Sequence, residues 1–430
     1  MPSGRSSTSS AAVSREPPPP DLSSARRQAF VLGAGALGLA WALTTTAAYL
    51  PPLLGRYTDS ETLVGLVLAA EGAFALTLPL VIGPWSDTFH TPLGRRRPFM
   101  LVALGPMAFA LALLAFMPNL WTTALMLFAL FFAYYVYEPP YRGLYPDLLP
   151  DVVFGRAQGV QHLLRGVALG GALIGGGFLF TLWRPAPFLV AALVTSVACL
   201  VPILFVTEDG GHGSVFQGVR AYVSHSWHVL RSNRDVATFL AANTAWEGTF
   251  AGARTFVVLY VTVGLGEPLV TSTFILAAVA GGYIVAALLA GPIGDRVGLA
   301  RMITLASVVY GLGLLAGGLG TTWHAWYLGL IFVVAVAGGT VMTLAWGLLF
   351  KLMPADERGT VSGLATTTKG LGLLIGPLAA GAAIDILGPH LESTQGYQVL
   401  WPILAVPILL AIPLVARLAV AEQRSEQSLS

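Results

Sequence analysis

The sequence predicts an all-α membrane protein with twelve transmembrane helices in two pseudo-symmetric six-helix bundles. Of the 430 residues, 55% are hydrophobic and only 10% are charged, whereas soluble proteins carry about 25% charged residues. Apolar runs recur at a length of about 20 residues, which crosses a bilayer as a helix. The Lys and Arg residues concentrate in alternate loops. These observations exclude a water-soluble enzyme and a protein with a single membrane anchor.

The apolar runs set the predicted spans. Open strands are excluded at that depth because unpaired backbone groups find no water in hydrocarbon, so each run is a helix. The spans cover residues 28–53, 62–83, 98–117, 121–141, 158–182, 186–206, 235–262, 268–292, 300–320, 323–350, 359–386 and 397–420.

The remaining segments complete the domain organisation. Residues 1–27 are rich in Ser, Pro and Arg and lack the apolar core of a signal peptide, so we expect a disordered tail. The N-terminal bundle takes residues 28–206 and the C-terminal bundle takes residues 235–420. A central loop, 207–234, joins them, and residues 421–430 form a second tail.

Charge asymmetry predicts the orientation. Eighteen of the 23 Lys and Arg residues fall in or beside the two tails and the even-numbered loops, and the opposite side carries Arg56 and Arg184. By the positive-inside rule both tails and the central loop are cytoplasmic, and we expect an integral protein of the cell membrane. A net charge of +2 gives no reason to expect a nucleic-acid partner.

Two short patterns recur in the two halves. Gly83–Asp87 follows the second span, and Gly291–Asp295 follows the eighth, 208 residues later. Leu148–Pro150 recurs as Leu352–Pro354, 204 residues later. Matching offsets indicate duplicated halves, a layout in which the substrate site lies between the repeats near the bilayer midplane.

These patterns resemble those of a known family. Gly83–Asp87 with Gly94–Arg97, and the shorter copy Gly291–Arg301, resemble the loop signature of the major facilitator superfamily. Gly94–Phe99 and Pro140–Leu148 are similar to stretches of the sucrose–proton symporters and the glycoside–pentoside–hexuronide cation symporters. The resemblance implies secondary active transport by alternating access, with a sugar or glycoside and a coupling cation, H+ first, as partners.

The resemblance also implies residue roles. Arg142 occupies the position of an Arg that contacts the substrate in those symporters, whereas their membrane-embedded Asp is replaced here by Phe131. In the superfamily, charged residues of this loop hold the ends of neighbouring helices together in one access state. The basic residues could instead serve only to set the orientation of the protein in the membrane. The corresponding residues are Asp87, Arg95, Arg96, Arg97, Asp295 and Arg301.

Ionisable residues inside the spans are candidates for function, because a charge at the bilayer centre costs several kcal/mol. Glu138 is the first choice for proton coupling, since it precedes Pro139, which interrupts the helical hydrogen-bond ladder. The alternatives are static ion pairs, of Glu138 with Arg165 or of Glu247 with Arg254, and an inter-helix hydrogen bond of Glu71 that serves packing. The three candidate carboxylates are Glu138, Glu71 and Glu247.

Polar and aromatic side chains in the spans are candidates for sugar binding. A sugar needs hydrogen-bonding groups for its hydroxyls and flat faces for its C–H surfaces. Each candidate could instead serve helix packing or anchoring at the membrane interface. The candidates are Arg142, His162, Arg165, Trp41, Thr45, Asn243, Trp246 and Lys369.

The sequence therefore predicts cation-coupled uptake of a sugar or glycoside, such as a disaccharide, by a monomer. The chain lacks a nucleotide-binding loop pattern, so neither ATP-driven pumping nor an enzyme is expected. The single cysteine, Cys199, and scattered histidines predict neither a metal site nor another cofactor. One alternative stays open, namely a proton-driven efflux antiporter for amphipathic small molecules. A non-transporting sensor is disfavoured, because we expect the central loop, 207–234, to be too short for an output domain.

Overall fold

The computed structural model describes residues 22–88, 91–149, 151–208, 219–353 and 358–429, and these ranges are almost entirely helical. The helices are α1 (Leu22–Leu54), α2 (Glu61–Thr88), α3 (Arg97–Leu113), α4 (Leu120–Leu148), α5 (Asp151–Gly170), α6 (Gly176–Leu182), α7 (Ala186–Phe205), α8 (Val219–Ser232), α9 (Arg234–Leu259), α10 (Leu269–Val297), α11 (Leu299–Gly317), α12 (Tyr327–Leu352), α13 (Arg358–Leu387) and α14 (Leu400–Leu429).

Two of the spans contain π-helical turns. Gly171–Gly175 joins α5 to α6 as one continuous span, and Tyr260–Gly264 extends α9. Among the described residues, eleven helices are long and apolar enough to cross a membrane. The long helix α9 falls outside that set because its polar residues, such as Glu247 and Arg254, lower its mean hydropathy. With α9 included, the predicted all-α membrane fold is confirmed.

The two halves pack by the same plan. In the N-terminal bundle α1 packs on α5 and α7, and α3 packs on α4 and α7. In the C-terminal bundle α9 packs on α13 and α14, and α11 packs on α12 and α14. These are the same pairs of spans counted from the start of each half, as expected from the repeated sequence patterns.

Between the bundles lies the amphipathic helix α8, inside the segment predicted as a loop. Val229 is buried against the fold, whereas Trp227 is exposed and lies under the guanidinium of Arg231. Its alternation of buried and exposed positions follows the helical period of 3.6 residues.

Close packing of α2 on α13 forms much of the interface between the bundles. A side chain at Gly65 would collide with the backbone of Pro377, and one at Gly72 would collide with the backbone of Leu374. Only glycine allows two helix backbones to approach this closely. We call the end with the first residues of α1 and the last residues of α14 the basic face, and the opposite end the far face.

Candidate functional site

An ion pair joins the two bundles near mid-span. Arg254 on α9 donates a hydrogen bond through Nη2 to Oε2 of Glu71 on α2. Glu71 is 6% exposed, and the small cavity at the pair is lined by apolar residues such as Phe131 and Pro377 as well as by Thr46 and Thr255. Coulombic attraction is stronger in such surroundings than in water. Arg254 also interacts electrostatically with Glu247, the alternative partner that the sequence offered, but its ion pair is with Glu71 of the opposite bundle.

A second ion pair lies within α4. Glu138 accepts a hydrogen bond from Nε of Arg142, one turn further along the same helix. The Glu138 side chain is 10% exposed and that of Arg142 is 42% exposed. The guanidinium of Arg142 is therefore partly available for another ligand, whereas the carboxylate is largely covered. The alternative pairing of Glu138 with Arg165 is not the ion pair that the structure contains.

Glu247 and Lys369 bring further charges to the same region from the C-terminal bundle. The Lys369 ammonium interacts electrostatically with Glu247 and, across the interface, with Arg142 and Arg165. Arg165 on α5 also interacts with the hydroxyl of Tyr283 on α10. Five of the predicted residues interact electrostatically in this region, and the one ion pair among them is that of Glu138 with Arg142. We call them the central charged cluster, namely Glu138, Arg142, Arg165, Glu247 and Lys369.

Of the predicted sugar-binding residues, Asn243 and Trp246 lie in packing contacts. The Asn243 amide donates to the carbonyl of Ala365 (3.3 Å) and to Oγ1 of Thr368 (3.1 Å), both on α13. Trp246 is 1% exposed and meets Phe239 edge to face, with ring centroids 5.8 Å apart. The Asn243 amide thus holds α9 against α13, whereas the Trp246–Phe239 contact lies within α9.

The remaining predicted sugar-binding residues lie on α1 and α5. Thr45 is buried, and its Oγ1 finds no hydrogen-bond partner among the described residues. The Trp41 ring covers Gly171 at the π-helical turn, where a side chain would meet the ring at 2.5 Å. His162 lies in α5, and its side chain is outside the described part of the structure.

At the basic face, the N-terminal bundle carries a network around the start of α3. Glu208 accepts hydrogen bonds from the backbone N–H groups of Arg95 (2.8 Å), Arg96 (3.0 Å) and Arg97 (2.9 Å). This carboxylate satisfies otherwise unpaired N–H groups and complements the positive end of the helix. Asp147 at the end of α4 pairs with the side chains of Arg95 (2.8 Å) and Arg96 (2.9 Å).

The C-terminal bundle repeats this capping with different charges. Glu422 accepts hydrogen bonds from the N–H groups of Leu299 (3.0 Å) and Ala300 (2.9 Å) at the start of α11, and from Nζ of Lys351 (2.9 Å). Lys351 stands 204 residues after Asp147, the offset of the second sequence repeat. This shared offset is the sequence signal from which Asp147 and Lys351 could have been identified as matching charged positions of the two halves.

For the other predicted gating residues, the structure describes few or no side-chain contacts. Arg301 is exposed on α11, and Arg97 donates through Nε to the carbonyl of Ile203 (2.7 Å). Asp87 lies in α2 and Asp295 in α10, but their side chains are outside the described part. Their clasping role stays a prediction.

The far face carries a polar contact between the bundles that the sequence did not predict. Asp385, near the end of α13, accepts hydrogen bonds from the Ser60 hydroxyl (2.7 Å) and from the N–H groups of Glu61 (2.8 Å) and Thr62 (2.9 Å). Tyr397 of the C-terminal bundle donates to Glu61. We call these five residues the far-face latch, because they cap α2 with a carboxylate from the opposite bundle.

A cavity of about 520 Å³ extends from the central region towards the far face. Its lining includes Phe250 and Tyr283 near mid-span, together with Thr44 and Arg254. Trp323, Trp326 and Tyr327 line the end near the far face. Most of its other lining is aliphatic. Its volume falls within the range of sites that bind small organic molecules, about 300–1,000 Å³.

Sequence comparison supports a family assignment. The chain matches the family profile of the Major Facilitator Superfamily over residues 30–377 and again over 270–429. An uncharacterized MFS-type transporter of Mycobacterium tuberculosis is 30% identical over 119 residues, which make up 28% of this chain. The matched part of the chain spans 20% of that relative's length.

Solved structures share the fold at low sequence identity. The nucleoside transporter NupG superposes with a TM-score of 0.72 at 13% identity, covering 91% of this chain and 98% of that one. A bacterial homolog of the human lysosomal transporter Spinster, inward-facing and unoccupied, gives 0.69 at 12% identity, covering 94% and 98%. A structure of proton-dependent oligopeptide transporters gives 0.70 at 14% identity, covering 93% and 99%.

Proposed function

We propose that this chain, which belongs to the major facilitator superfamily, is a secondary transporter that couples proton entry to uptake of a sugar or glycoside. The observation that carries this proposal is the Glu71–Arg254 ion pair, which joins the two bundles. One charge crossing about 100 mV supplies roughly 2.3 kcal/mol, enough for some fifty-fold accumulation of a neutral solute.

The charge distribution supports a cytoplasmic basic face. The arginines at the start of α3 and Lys351 near the end of α12 lie there, together with the first residues of α1 and the last residues of α14. The positive-inside rule assigns such an end to the cytoplasm. The far-face latch then closes the outer side of the transporter.

Coupling at Glu71 follows from its position between the bundles. A carboxylate that takes up a proton loses its charge and can no longer hold Arg254 as an ion pair. Loss of that pair weakens the contact of α2 with α9 and favours rearrangement of the bundles. Glu138, which the sequence favours for this role, pairs within α4, so its protonation would leave the interface pair in place. We therefore assign coupling to Glu71 ahead of Glu138.

Substrate binding is assigned to the central charged cluster. The Arg142 and Arg165 guanidinium groups and the Lys369 ammonium can donate hydrogen bonds to sugar hydroxyls, and the carboxylates can accept them. Because the cluster includes side chains from both bundles, a bound solute would contact both halves. Such a site changes its contacts whenever the halves move, as alternating access requires.

Uptake into proteoliposomes tests the proposal. Vesicles made alkaline inside should accumulate at least one member of a radiolabelled panel of sugars and glycosides, and an uncoupler should abolish that accumulation. A sodium gradient without a pH gradient should not drive it. Uptake that equilibrates without accumulation, whatever the proton gradient, would contradict proton coupling.

Efflux of amphipathic compounds is the second candidate, favoured by the largely apolar lining of the 520 Å³ cavity. Inverted vesicles distinguish the two functions. Proton-driven movement of an amphipathic dye in exchange for protons, with no response to any glycoside, would support efflux in place of uptake.

A further inference from the structure

The far-face latch contains a buried carboxylate without a cation beside it. Glu61 is the first residue of α2 and is 8% exposed. Its Oε1 accepts a hydrogen bond from the Tyr397 hydroxyl, whereas its Oε2 is buried without a hydrogen-bond partner among the described residues. Within that part of the chain Glu61 forms no ion pair. An ionised carboxylate in such a position has a desolvation cost that no opposite charge offsets.

Two further carboxylates act on Glu61. Asp385 of the opposite bundle accepts a hydrogen bond from the Glu61 N–H group (2.8 Å), and Asp59 lies in the loop before α2. Like charges at short range favour the neutral form of one partner. Asp385 accepts three hydrogen bonds, which favour its charged form, so Glu61 is the partner that takes up the proton. Tyr397 is the other titratable group that acts on Glu61, and its donated hydrogen bond favours the ionised form.

The groups that cover Glu61 belong to the opposite bundle. Besides Tyr397 and Asp385, the α13 backbone at Gly381 comes so close that a side chain there would meet the Glu61 carbonyl at 2.2 Å. Rotation of the bundles that opens the far face would remove all three from Glu61 and admit water. A solvated glutamate takes up its proton near about pH 4.3. Glu61 therefore binds a proton more tightly when the far face is closed than when it is open.

We propose that Glu61 is a second proton-binding site, which fills when the far face closes and empties when it opens. A proton that binds the closed form more tightly shifts the population towards that form. Acid on the far side therefore closes the far face, and a rise in pH opens it. This effect is opposite to that of a proton on Glu71, which breaks a contact between the bundles. Binding at Glu61 requires neither a sugar nor coupling at Glu71.

Spin labels test the site in the absence of substrate. The labels are placed at Trp183→Cys and Leu319→Cys, exposed far-face positions in different bundles, in a Cys199→Ala, Glu71→Gln protein. In this protein the proposed coupling carboxylate cannot titrate. From about pH 8.5 to about pH 5.5 we expect the ratio of closed to open molecules to rise about tenfold, since one proton changes it by at most about tenfold per pH unit.

Glu61→Gln in the same protein should remove this dependence on pH. The glutamine still accepts the Tyr397 hydrogen bond but carries no charge, so the far face should stay largely closed at both ends of the range. A closed-to-open ratio that does not respond to pH with Glu61 present would overturn the proposal. An equal response in Glu61→Gln would also overturn it.

Two further substitutions should move the pH response in opposite directions. Tyr397→Phe removes a donor that favours the ionised form of Glu61, so the closed fraction should begin to rise at a higher pH. Asp385→Asn removes the neighbouring charge, so the rise should begin at a lower pH. A latch without a proton site would be weakened by both changes without opposite shifts, and shifts in the same direction would overturn the proposal. Asp59→Asn, at an exposed carboxylate, is the matched control and should keep most of the response.

The outcomes also distinguish this site from the proposed function. A pH response that is lost in Glu71→Gln and kept in Glu61→Gln would place the proton at Glu71, which overturns this site and leaves the proposed coupling intact. A response that depends on Glu61, in protein that accumulates no sugar, would support the site and contradict the proposed function. Closure that follows the sodium concentration at constant pH would assign the site to a metal cation and overturn the proposal.

Discussion

The two ends of the molecule use the same chemistry for different purposes. At the basic face Glu208 caps α3 and Glu422 caps α11, and each carboxylate caps a helix of its own bundle. At the far face Asp385 caps α2 from the opposite bundle. Described caps at the basic face therefore stabilise each bundle, whereas the cap at the far face stabilises one arrangement of the two bundles.

This difference implies that caps within a bundle and caps between bundles have different roles during transport. A cap within one bundle stays intact when the bundles rotate as rigid bodies, so its hydrogen bonds add no free-energy cost to the transition between access states. A cap between bundles must break each time the outer side opens. Its free energy therefore determines the fraction of molecules in which the outer side is closed. The predictions below test this difference, from the largest expected effect to the smallest.

Gly72→Leu should have the largest effect. The new side chain would collide with the α13 backbone at Leu374 and prevent the far face from closing. We expect transport to fall by about tenfold or more, because alternating access needs both end states. Uptake into proteoliposomes measures the loss. Gly105→Leu, at a glycine with open space around it, is the control and should keep most activity.

Asp385→Ala should open the far face without unfolding the protein. Loss of a helix cap costs about 0.5–2 kcal/mol, which would shift the equilibrium about two- to thirtyfold towards the open state. Spin labels at Trp183→Cys and Leu319→Cys, exposed far-face positions in different bundles, report the separation in a Cys199→Ala background. An unchanged distance distribution would show that the latch does not hold the bundles together.

Glu208→Gln removes the corresponding cap within one bundle. Its melting temperature should fall, because the α3 N–H groups lose a charged acceptor worth about 1 kcal/mol. The spin-label distances at the far face should stay as in the parent. A shift as large as that of Asp385→Ala would remove the distinction between the two ends.

Acid should weaken the Glu422 cap by a smaller amount. Burial alone would raise the pKa of the Glu422 carboxyl, but the Ala300 and Leu299 N–H groups and Lys351 outweigh it and lower that pKa below its usual value. The stabilisation is therefore present above about pH 4.3 and is lost as pH falls through the lowered pKa. Below that pH the melting temperature of the parent should fall more steeply than that of Glu422→Gln. Parallel curves would contradict this.

The fold could be predicted from the sequence because its signals are local. Span length, apolar runs and the Lys and Arg bias all act over about 20 residues. The partners of buried charges depend on which helices meet. Arg254 is near Glu247 in sequence, yet it pairs with Glu71, 183 residues away. Asp385 reaches α2 across 324 residues. Neither contact has a sequence spacing that points to it.

The candidate site was predicted in part for the same reason. The rarity of charges within spans identified Glu71, Arg254 and the central charged cluster before their geometry was known. Aromatic composition was less informative, because Trp246 suits a sugar site and a packed core equally well, and it lies in the core. Helix α8 escaped prediction because its apolar positions are too few and too dispersed to form a run.

The most direct test of proton coupling at Glu71 compares accumulation with exchange in Glu71→Gln proteoliposomes. The variant cannot titrate at this position, so it should lose proton-driven accumulation while keeping counterflow of the same substrate. Glu138→Gln removes a carboxylate of the central charged cluster but leaves the Glu71–Arg254 pair in place, so it should bind substrate more weakly while keeping proton-driven accumulation at saturating substrate. Full accumulation by Glu71→Gln would contradict the coupling role of the Glu71–Arg254 pair.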